Sequence, residues 1–407
     1  MTTAASGSWP LGVFPGSSAA APRPAAASLD DGGPARILMV SARFFPLAGG
    51  VETHVYETAR RLAARGLRVD LLTTDTTGAL PARDHLDGVS IIRVPAWPRG
   101  SDVRFAPRIY DVIAAGRWDI VHVQGYHTFV APIAMDAARR AGLPFVLTFH
   151  SGGHSSPLRR AVRGAQRLAL RPLVNGAARL IGVSRYEADF FSRTMGVARH
   201  RFHVVPNGGE LPRPAVGRTR RSGDRLIVSI GRLERYKGHH RAIEAMPHIL
   251  SRLPGARLRV LGEGPYERPL RRLVARLGLA DAVTIGGIPS GDRRAMADLL
   301  ASADLVVLFS DYEAHPVAVM EALALGRKIV VSEAAGLAEI VAEGRARGAP
   351  PACRAEERAR LMVEMMEEGP IPEAVALPTW EDCVDSLLSI YRDALGRERD
   401  ATRAAGV

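Results

Sequence analysis

Lysine is almost missing from this chain: of its 54 basic residues only Lys237 and Lys328 are not arginine. Cysteine is equally scarce. Cys353 and Cys383 are the only two, which argues against a disulfide framework and fits a reducing compartment. Long apolar runs are lacking as well. The longest, such as RLIVSI and DLVVLF, are far too short to cross a bilayer. No complete G-x-G-x-x-G follows a strand-like run, which weighs against a nicotinamide dinucleotide enzyme. No nucleic-acid recognition motif stands out either, so nucleic acid is not an expected partner.

What is present suits a globular protein. The length of 407 residues allows two domains, and 47% hydrophobic content allows large cores. The net charge of +12 is uneven. Residues 1–212 hold 25 arginines against 15 acids, a net of +10, and the remainder holds only +2. A basic half invites an anionic partner, although a general preference for arginine explains it equally well. Residues 1–35 are rich in Ala, Pro, Ser and Gly, with no basic start and no sustained apolar stretch. They read as a disordered tail rather than a secretory signal.

From Arg36 the pattern alternates. RILMVS is strand-like, VETHVYETARRLAARG is helical in period, and RVDLLTT, DIVHVQ, PFVLTFH and RLIGVS follow with helical segments between them. ELPRPAVGRTRRSGD then reads as a linker. The alternation resumes with RLIVSIG, RLRVLG, AVTIGG, DLVVLFS and KIVVSE. The pattern predicts an α/β chain of two consecutive Rossmann-like, doubly wound domains, over 36–212 and 222–378, with a cleft between them. A last helix, 379–395, is expected to pack back on the first domain. Ligands of such sheets sit at the strands' carboxyl ends, so the strand-to-helix loops are the places to look.

Four loops stand out. In PLAGGVETHV, Gly49 and Gly50 permit a tight turn at a helix N-terminus, which can hold an anion. In GRLERYKGHH, Arg232 and Lys237 lie five apart beside a strand end, a spacing that suits a diphosphate. In LGEGPYE, Gly262 and Gly264 permit close backbone approach to a ligand. Taken singly, each is more economically a turn or a surface charge pair.

The fourth loop, DYEAHPVAVMEALALG, places Glu313 and Glu321 in an otherwise apolar segment, where unpaired charge is costly. Pro316 suits the first position of a helix running to about Leu325 and stopped by Gly326. Val317 and Ala318 then offer free N–H groups at the helix's positive end. Glu313 would face the cleft, and Glu321 would accept hydrogen bonds from vicinal hydroxyls, as on a ribose.

Together these segments resemble retaining, nucleotide-sugar-dependent glycosyltransferases of family 4, which have the GT-B fold. The paired-glutamate motif appears as EAHPVAVMEALALG and the GR…KG loop as GRLERYKG. GGVETHV, TFHS at 148–151, VSRYEADFF at 183–191 and VVPNGGE at 204–210 complete the set in order, over roughly residues 36–340. The resemblance implies a hexosyl-type transferase moving a sugar from a nucleoside-diphosphate donor to a hydroxyl acceptor, with retention and without a metal or other cofactor. The absence of Asp-x-Asp agrees with that.

It further implies roles for single residues. Arg232 and Lys237 would neutralise the leaving diphosphate, and Glu321 would hold the ribose. Glu313 and the backbone after His315 would hold the sugar, His150 would touch that sugar from the first domain, and Gly50 would close the diphosphate pocket. Asn207 and Ser184 are weaker candidates for shaping the hinge or cleft wall. With no obvious nucleophile, front-side attack is expected. Polysaccharide, glycolipid and natural-product acceptors all remain open.

Two departures stand against the family pattern. Pro316 replaces a common glycine, and AEGRARGAPPACRAEERARL after Glu339 hides the usual turn and strand. The stretch 157–172 reads as a helix with Arg163, Arg167 and Arg171 on one face and Leu158, Val162, Ala165, Leu168 and Ala169 on another. It would suit an anionic membrane surface, making a cytoplasmic protein peripheral on the membrane, or it is an ordinary surface helix. A nucleotide-sugar epimerase or hydrolase, or a non-catalytic sugar-nucleotide binder, are the rival functions.

Overall fold

The computed structural model describes residues 35–47, 49–101, 103–150, 157–215, 224–289, 292–368 and 377–404. Residues 1–34 of the expected tail, Ser151, and residues 216–223 of the linker lie outside them, as do the side chains of Leu158 and Val162.

The first unit is an eight-stranded sheet. Its strands are β1 (Arg36–Ser41), β2 (Arg68–Asp75), β3 (Arg83–Leu86), β4 (Val89–Pro95), β5 (Ile120–Gln124), β6 (Phe145–Thr148), β7 (Arg179–Gly182) and β8 (Phe202–Val204). They lie in the order β3-β4-β2-β1-β5-β6-β7-β8, parallel except for β3 against β4. Helices α1 (Gly50–Ala64), α2 (Arg108–Ala115), α3 (Val130–Arg140), α4 (Pro157–Asn175) and α5 (Arg185–Met195) cover the faces.

The second unit has β9 (Arg225–Ile230), β10 (Ala256–Leu261), β11 (Val283–Ile285), β12 (Leu305–Leu308), β13 (Lys328–Ser332) and β14 (Arg347–Ala349). Their order is β11-β10-β9-β12-β13-β14, all parallel. Its helices are α6 (His239–Leu250), α7 (Glu267–Arg276), α8 (Arg293–Ser302), α9 (Val317–Ala324), α10 (Leu337–Ala342) and α11 (Ala355–Glu367).

The apolar runs become central strands because helices bury both faces of a parallel sheet. Ile37 pairs with Val69 on one side and Ile120 on the other, and all three are buried. In each unit the first strand is flanked by strands from opposite directions of winding. That places a crevice at the carboxyl ends of β1 and β5, and another at β9 and β12.

The final helix, α12 (Trp380–Ala404), belongs to the core of the first unit. Trp380, Val384, Leu387 and Tyr391 are fully buried with Ile37, Met39, Val55 and Leu62. Each such side chain contributes about 1.5–3 kcal/mol by leaving water. Arg61 ties this arrangement together, pairing with Glu381 at 2.9 Å and with Glu210 of the interdomain segment at 2.8 Å.

Two expectations need correction. The segment after Glu339 does contain a turn and a strand: α10 ends at Ala342, and β14 pairs with β13 through Val331 and Gly348. Pro316 is the N-cap of α9 rather than its first residue, because its ψ of 118° is extended. On α4 the apolar face looks outward and two of the three arginines turn inward. Arg163 and Arg167 are half-buried, with Arg167 lying 5.5 Å over the Phe190 ring, while Ala165, Ala169 and the 69% exposed Leu168 point outward.

Candidate active site

The loops at the two crevices face one another. α1 begins at Gly50 and α9 at Val317, and a Cβ placed on Gly50 would lie 3.9 Å from Val317 Cγ2. Two helix N-termini, one from each unit, therefore converge. Their free N–H groups and dipoles favour an anion there. Val317 and Ala318 stand at the first two positions of α9, where intrahelical acceptors do not exist.

Gly49 is not a left-handed turn residue, since its φ is 174°. A Cβ there would sit 2.5 Å from the Glu52 carboxylate, the movable end of a side chain that pairs with Arg43 at 3.1 Å, so a larger residue would ask only that Glu52 shift. Gly262 was expected to admit a ligand and instead admits backbone. Its φ is 139°, and a Cβ would meet the Gly231 carbonyl at 1.9 Å. Gly264 packs in the same way on the Leu233 carbonyl. LGEGPYE thus braces the GRLERYKG loop, with Leu233 N–H donating to Glu263 O at 2.9 Å and Tyr266 N–H donating to Leu233 O at 2.8 Å.

Lys237 and Glu313 meet across this loop cluster. Lys237 Nζ donates to Glu313 Oε1 at 2.5 Å, and Ser310 Oγ donates to the same oxygen at 2.8 Å. Burial pulls the Lys237 pKa down, but Glu313 and the adjacent Tyr236 outweigh it, so the ammonium is held above its ordinary range. Arg232 stands beside them, half-exposed and paired with Glu234 at 2.6 Å. His239 was not foreseen as part of the site. It bonds Ser229 Oγ at 2.8 Å and the Arg232 carbonyl at 3.3 Å, so it fixes the loop from beneath. Its position directly after Lys-Gly was the available signal.

Glu321 is buried in α9 and not on a solvated face. Burial raises its pKa against the opposing pull of Arg293, which donates to Glu321 Oε1 at 2.7 Å and to Glu210 O at 3.0 Å. Arg293 also escaped the sequence reading, because nothing in RRAMADLL marks one arginine as turned inward.

A chain of buried imidazoles joins the two units. His150 is held at φ 44°, in the left-handed region, where a non-glycine residue is strained. Its Nε2 lies 2.7 Å from Gln124 Oε1, so that nitrogen carries the proton and Nδ1 keeps a lone pair. The His54 ring meets it edge-on at 4.5 Å between centroids. His54 Nδ1 lies 2.8 Å from Asn207 Oδ1. Asn207 then grips His315 twice, donating N–H to Nδ1 at 3.2 Å and Nδ2–H to the carbonyl at 2.7 Å. On the far side, His122 bonds Tyr391 Oη at 2.6 Å and Thr148 Oγ1 at 2.7 Å. Burial keeps all four rings neutral, pulling His54 and His315 down to about 4 and His122 to about 3.

Ser184 has a different place. It caps α5 by accepting from Glu187 N–H at 3.2 Å. The next two N–H groups of that helix, of Arg185 and Tyr186, donate to Glu339 from the second unit.

Family models match both units: Glycosyltransferase Family 4 over residues 48–211, and Glycosyl transferases group 1 over residues 217–376. A D-inositol 3-phosphate glycosyltransferase of Nocardiopsis dassonvillei is 30% identical, covering 88% of this chain and 94% of its own.

The chain belongs to glycosyltransferase family 4.

Another relative of the same name, from Pseudarthrobacter chlorophenolicus, is 31% identical over 73% of this chain and 77% of its own. Among solved structures, sucrose-phosphate synthase from Thermosynechococcus elongatus aligns with a TM-score of 0.67 at 19% identity, over 91% of this chain and all of that one. Anabaena HepE in complex with UDP-glucose aligns at 0.64 and 19%, with the same coverage. These show the GT-B fold. The protein is thus a glycosyltransferase. Among the described residues no helix is long and apolar enough to cross a membrane.

Proposed function

We propose that this glycosyltransferase moves a hexose from a nucleoside-diphosphate sugar to a hydroxyl acceptor with retention of anomeric configuration and without a metal. The observation that carries the reading is the Lys237–Glu313 pair beside two facing helix N-termini. As the glycosidic bond breaks, negative charge grows on the diphosphate. Fixed N–H groups together with Lys237 and Arg232 stabilise that charge without reorganising. Diphosphate entry would draw Lys237 from Glu313 and release the carboxylate to the sugar's hydroxyls. Glu321 would exchange Arg293 for the ribose. His150, neutral and with Nδ1 free as an acceptor, would meet the sugar from the first unit.

No carboxylate is assigned as nucleophile, so the departing phosphate would take the acceptor's proton during front-side attack. Isolation of a covalent glycosyl-enzyme would overturn this step.

The relatives' names make D-inositol 3-phosphate the first acceptor to try, and the HepE complex makes UDP-glucose the first donor. The deciding experiment measures thermal shifts with UDP, GDP, ADP and their sugars for wild type, Glu321→Ala and Lys237→Ala. One nucleotide should stabilise the wild type and neither variant. A folded protein that no nucleotide stabilises would end the proposal.

Membrane contact is a separate part of the reading, resting on the outward Leu168, Ala165 and Ala169 of α4 beside Arg171. Flotation with anionic vesicles tests it. Binding should fall with salt and with Leu168→Glu, and absence of flotation removes it.

A further inference from the structure

A cavity of about 370 Å³ opens on the second unit, between α6 and α7 and away from the facing helix N-termini. Arg272 and Arg276 rise from α7, one helical turn apart. His240 and Glu244 stand one turn apart on α6, and Arg235 and Tyr266 close the top. Arg271, their neighbour on α7, is held by Glu267 at 2.8 Å and by the Ile285 carbonyl at 3.0 Å. Arg235, Arg272 and Arg276 have no carboxylate partner among the described residues. His240 is half-buried beside them, and its Nδ1 has no hydrogen-bond partner among the described residues.

We infer that this cavity is a second ligand site, separate from the donor cleft, for a small phosphomonoester on a polyhydroxylated body. The charges select the phosphate. Three guanidiniums and one carboxylate leave a surplus of two positive charges, matching a phosphate dianion. Guanidinium forks suit phosphate oxygens in particular. Glu244 is the one acceptor of charge and is placed to receive hydroxyl hydrogens from the body. The Tyr266 ring, edge-on to His240 at 5.8 Å, offers a face for its apolar side. The volume lies at the small end of ligand pockets, which suits a monosaccharide phosphate. Arg235 shares a turn with Lys237, so an occupant would border the loop that carries the catalytic lysine.

The test is calorimetry at low ionic strength with glucose 6-phosphate, glucose and inorganic phosphate as probes. Wild type is compared with the double variant Arg272→Ala/Arg276→Ala, whose side chains are exposed and whose fold is checked by circular dichroism. Glucose 6-phosphate should bind, glucose should not, and inorganic phosphate should bind at least tenfold more weakly. The double variant should lose at least tenfold in affinity for the sugar phosphate. Binding of UDP in the cleft should be the same in both proteins. No heat with glucose 6-phosphate overturns the inference, as does equal binding by the double variant. Displacement by UDP would show the donor cleft instead, and equal affinity for bare phosphate would overturn the ligand class.

Discussion

Lys237 Nζ lies 2.5 Å from Glu313 Oε1, so the two groups that the donor would separate hold each other, with both side chains largely out of water. Removing one partner of such a pair leaves a buried charge, which typically costs about 3–5 kcal/mol. Lys237→Met should therefore melt well below wild type and lose about a hundredfold in turnover. Adding Glu313→Gln should recover most of the melting temperature, because the orphaned charge is gone, but none of the turnover. Thermal melts and turnover of wild type and the two variants check this. A single variant as stable as wild type would show that the pair contributes nothing.

The buried imidazoles give stability a pH dependence. His54, His315 and His239 titrate near 4 in the fold, His122 near 3, and an exposed imidazole near 6.5. Below about pH 6.5 the unfolded chain takes up protons that the folded one refuses. Stability is thus complete above pH 6.5 and falls as pH drops towards 4, by up to about 1.4 kcal/mol per pH unit for each group. Glu321 and Glu339, whose pKa values burial raises, work in the opposite sense. The histidines outnumber them, so urea midpoints should fall steadily between pH 7 and pH 5. A flat midpoint would mean that these rings are hydrated in solution.

Arg293 offers a test of the ribose assignment. It neutralises Glu321 in this structure, donating to it at 2.7 Å. In Arg293→Met the carboxyl keeps its burial and loses its cation, so its pKa rises further. A protonated carboxyl has one fewer acceptor for the ribose hydroxyls. Nucleoside diphosphate affinity should fall more at pH 6 than at pH 8, and Glu321→Gln should remove that difference. An identical loss at both pH values would separate Glu321 from the ribose.

Much of this architecture was legible because a parallel sheet buries both faces of its central strands, so β1, β12 and β13 appear as unbroken apolar runs and β5 and β9 as runs with a single interior polar residue. The hairpin of β3 and β4 was not legible from RDHL, which is polar and lies at the sheet edge. Its turn was the overlooked signal: Asp87 and Gly88 take φ of 47° and 83°, the geometry that an Asp-Gly pair favours between antiparallel strands. β14 reads Arg-Gly-Ala and has no apolar pattern to find. The site divides similarly. The loops could be placed by strand ends and glycines, but their partners could not. Lys237 and Glu313 are 76 residues apart, and His54 and Asn207 are 153 apart. No local spacing encodes such pairs. Gly262 shows the limit from the other side, since a glycine that admits a ligand and one that admits a neighbouring carbonyl look the same in sequence.

Asn207 makes the last prediction. It lies in the segment between the units, bonds His54 of α1, and holds the His315 loop that leads into α9. Asn207→Leu keeps the volume and removes both side-chain contacts, to His54 Nδ1 and to the His315 carbonyl, while the backbone N–H to His315 Nδ1 stays. Unsatisfied buried groups cost about 1–3 kcal/mol each, so the variant should lose at least 2 kcal/mol. The kinetic effect should be uneven. Lys237, Glu313, Glu321 and the start of α9 all belong to the second unit, so nucleotide affinity should stay within about threefold of wild type, a loss smaller than 1 kcal/mol. His150 belongs to the first unit, and its approach depends on how the units meet. Turnover should therefore fall by at least tenfold while the dissociation constant hardly moves, a loss confined to the transition state. Equal losses in both would place Asn207 in the fold of the donor site, and no loss in turnover would show that the imidazole chain does not set the position of His150.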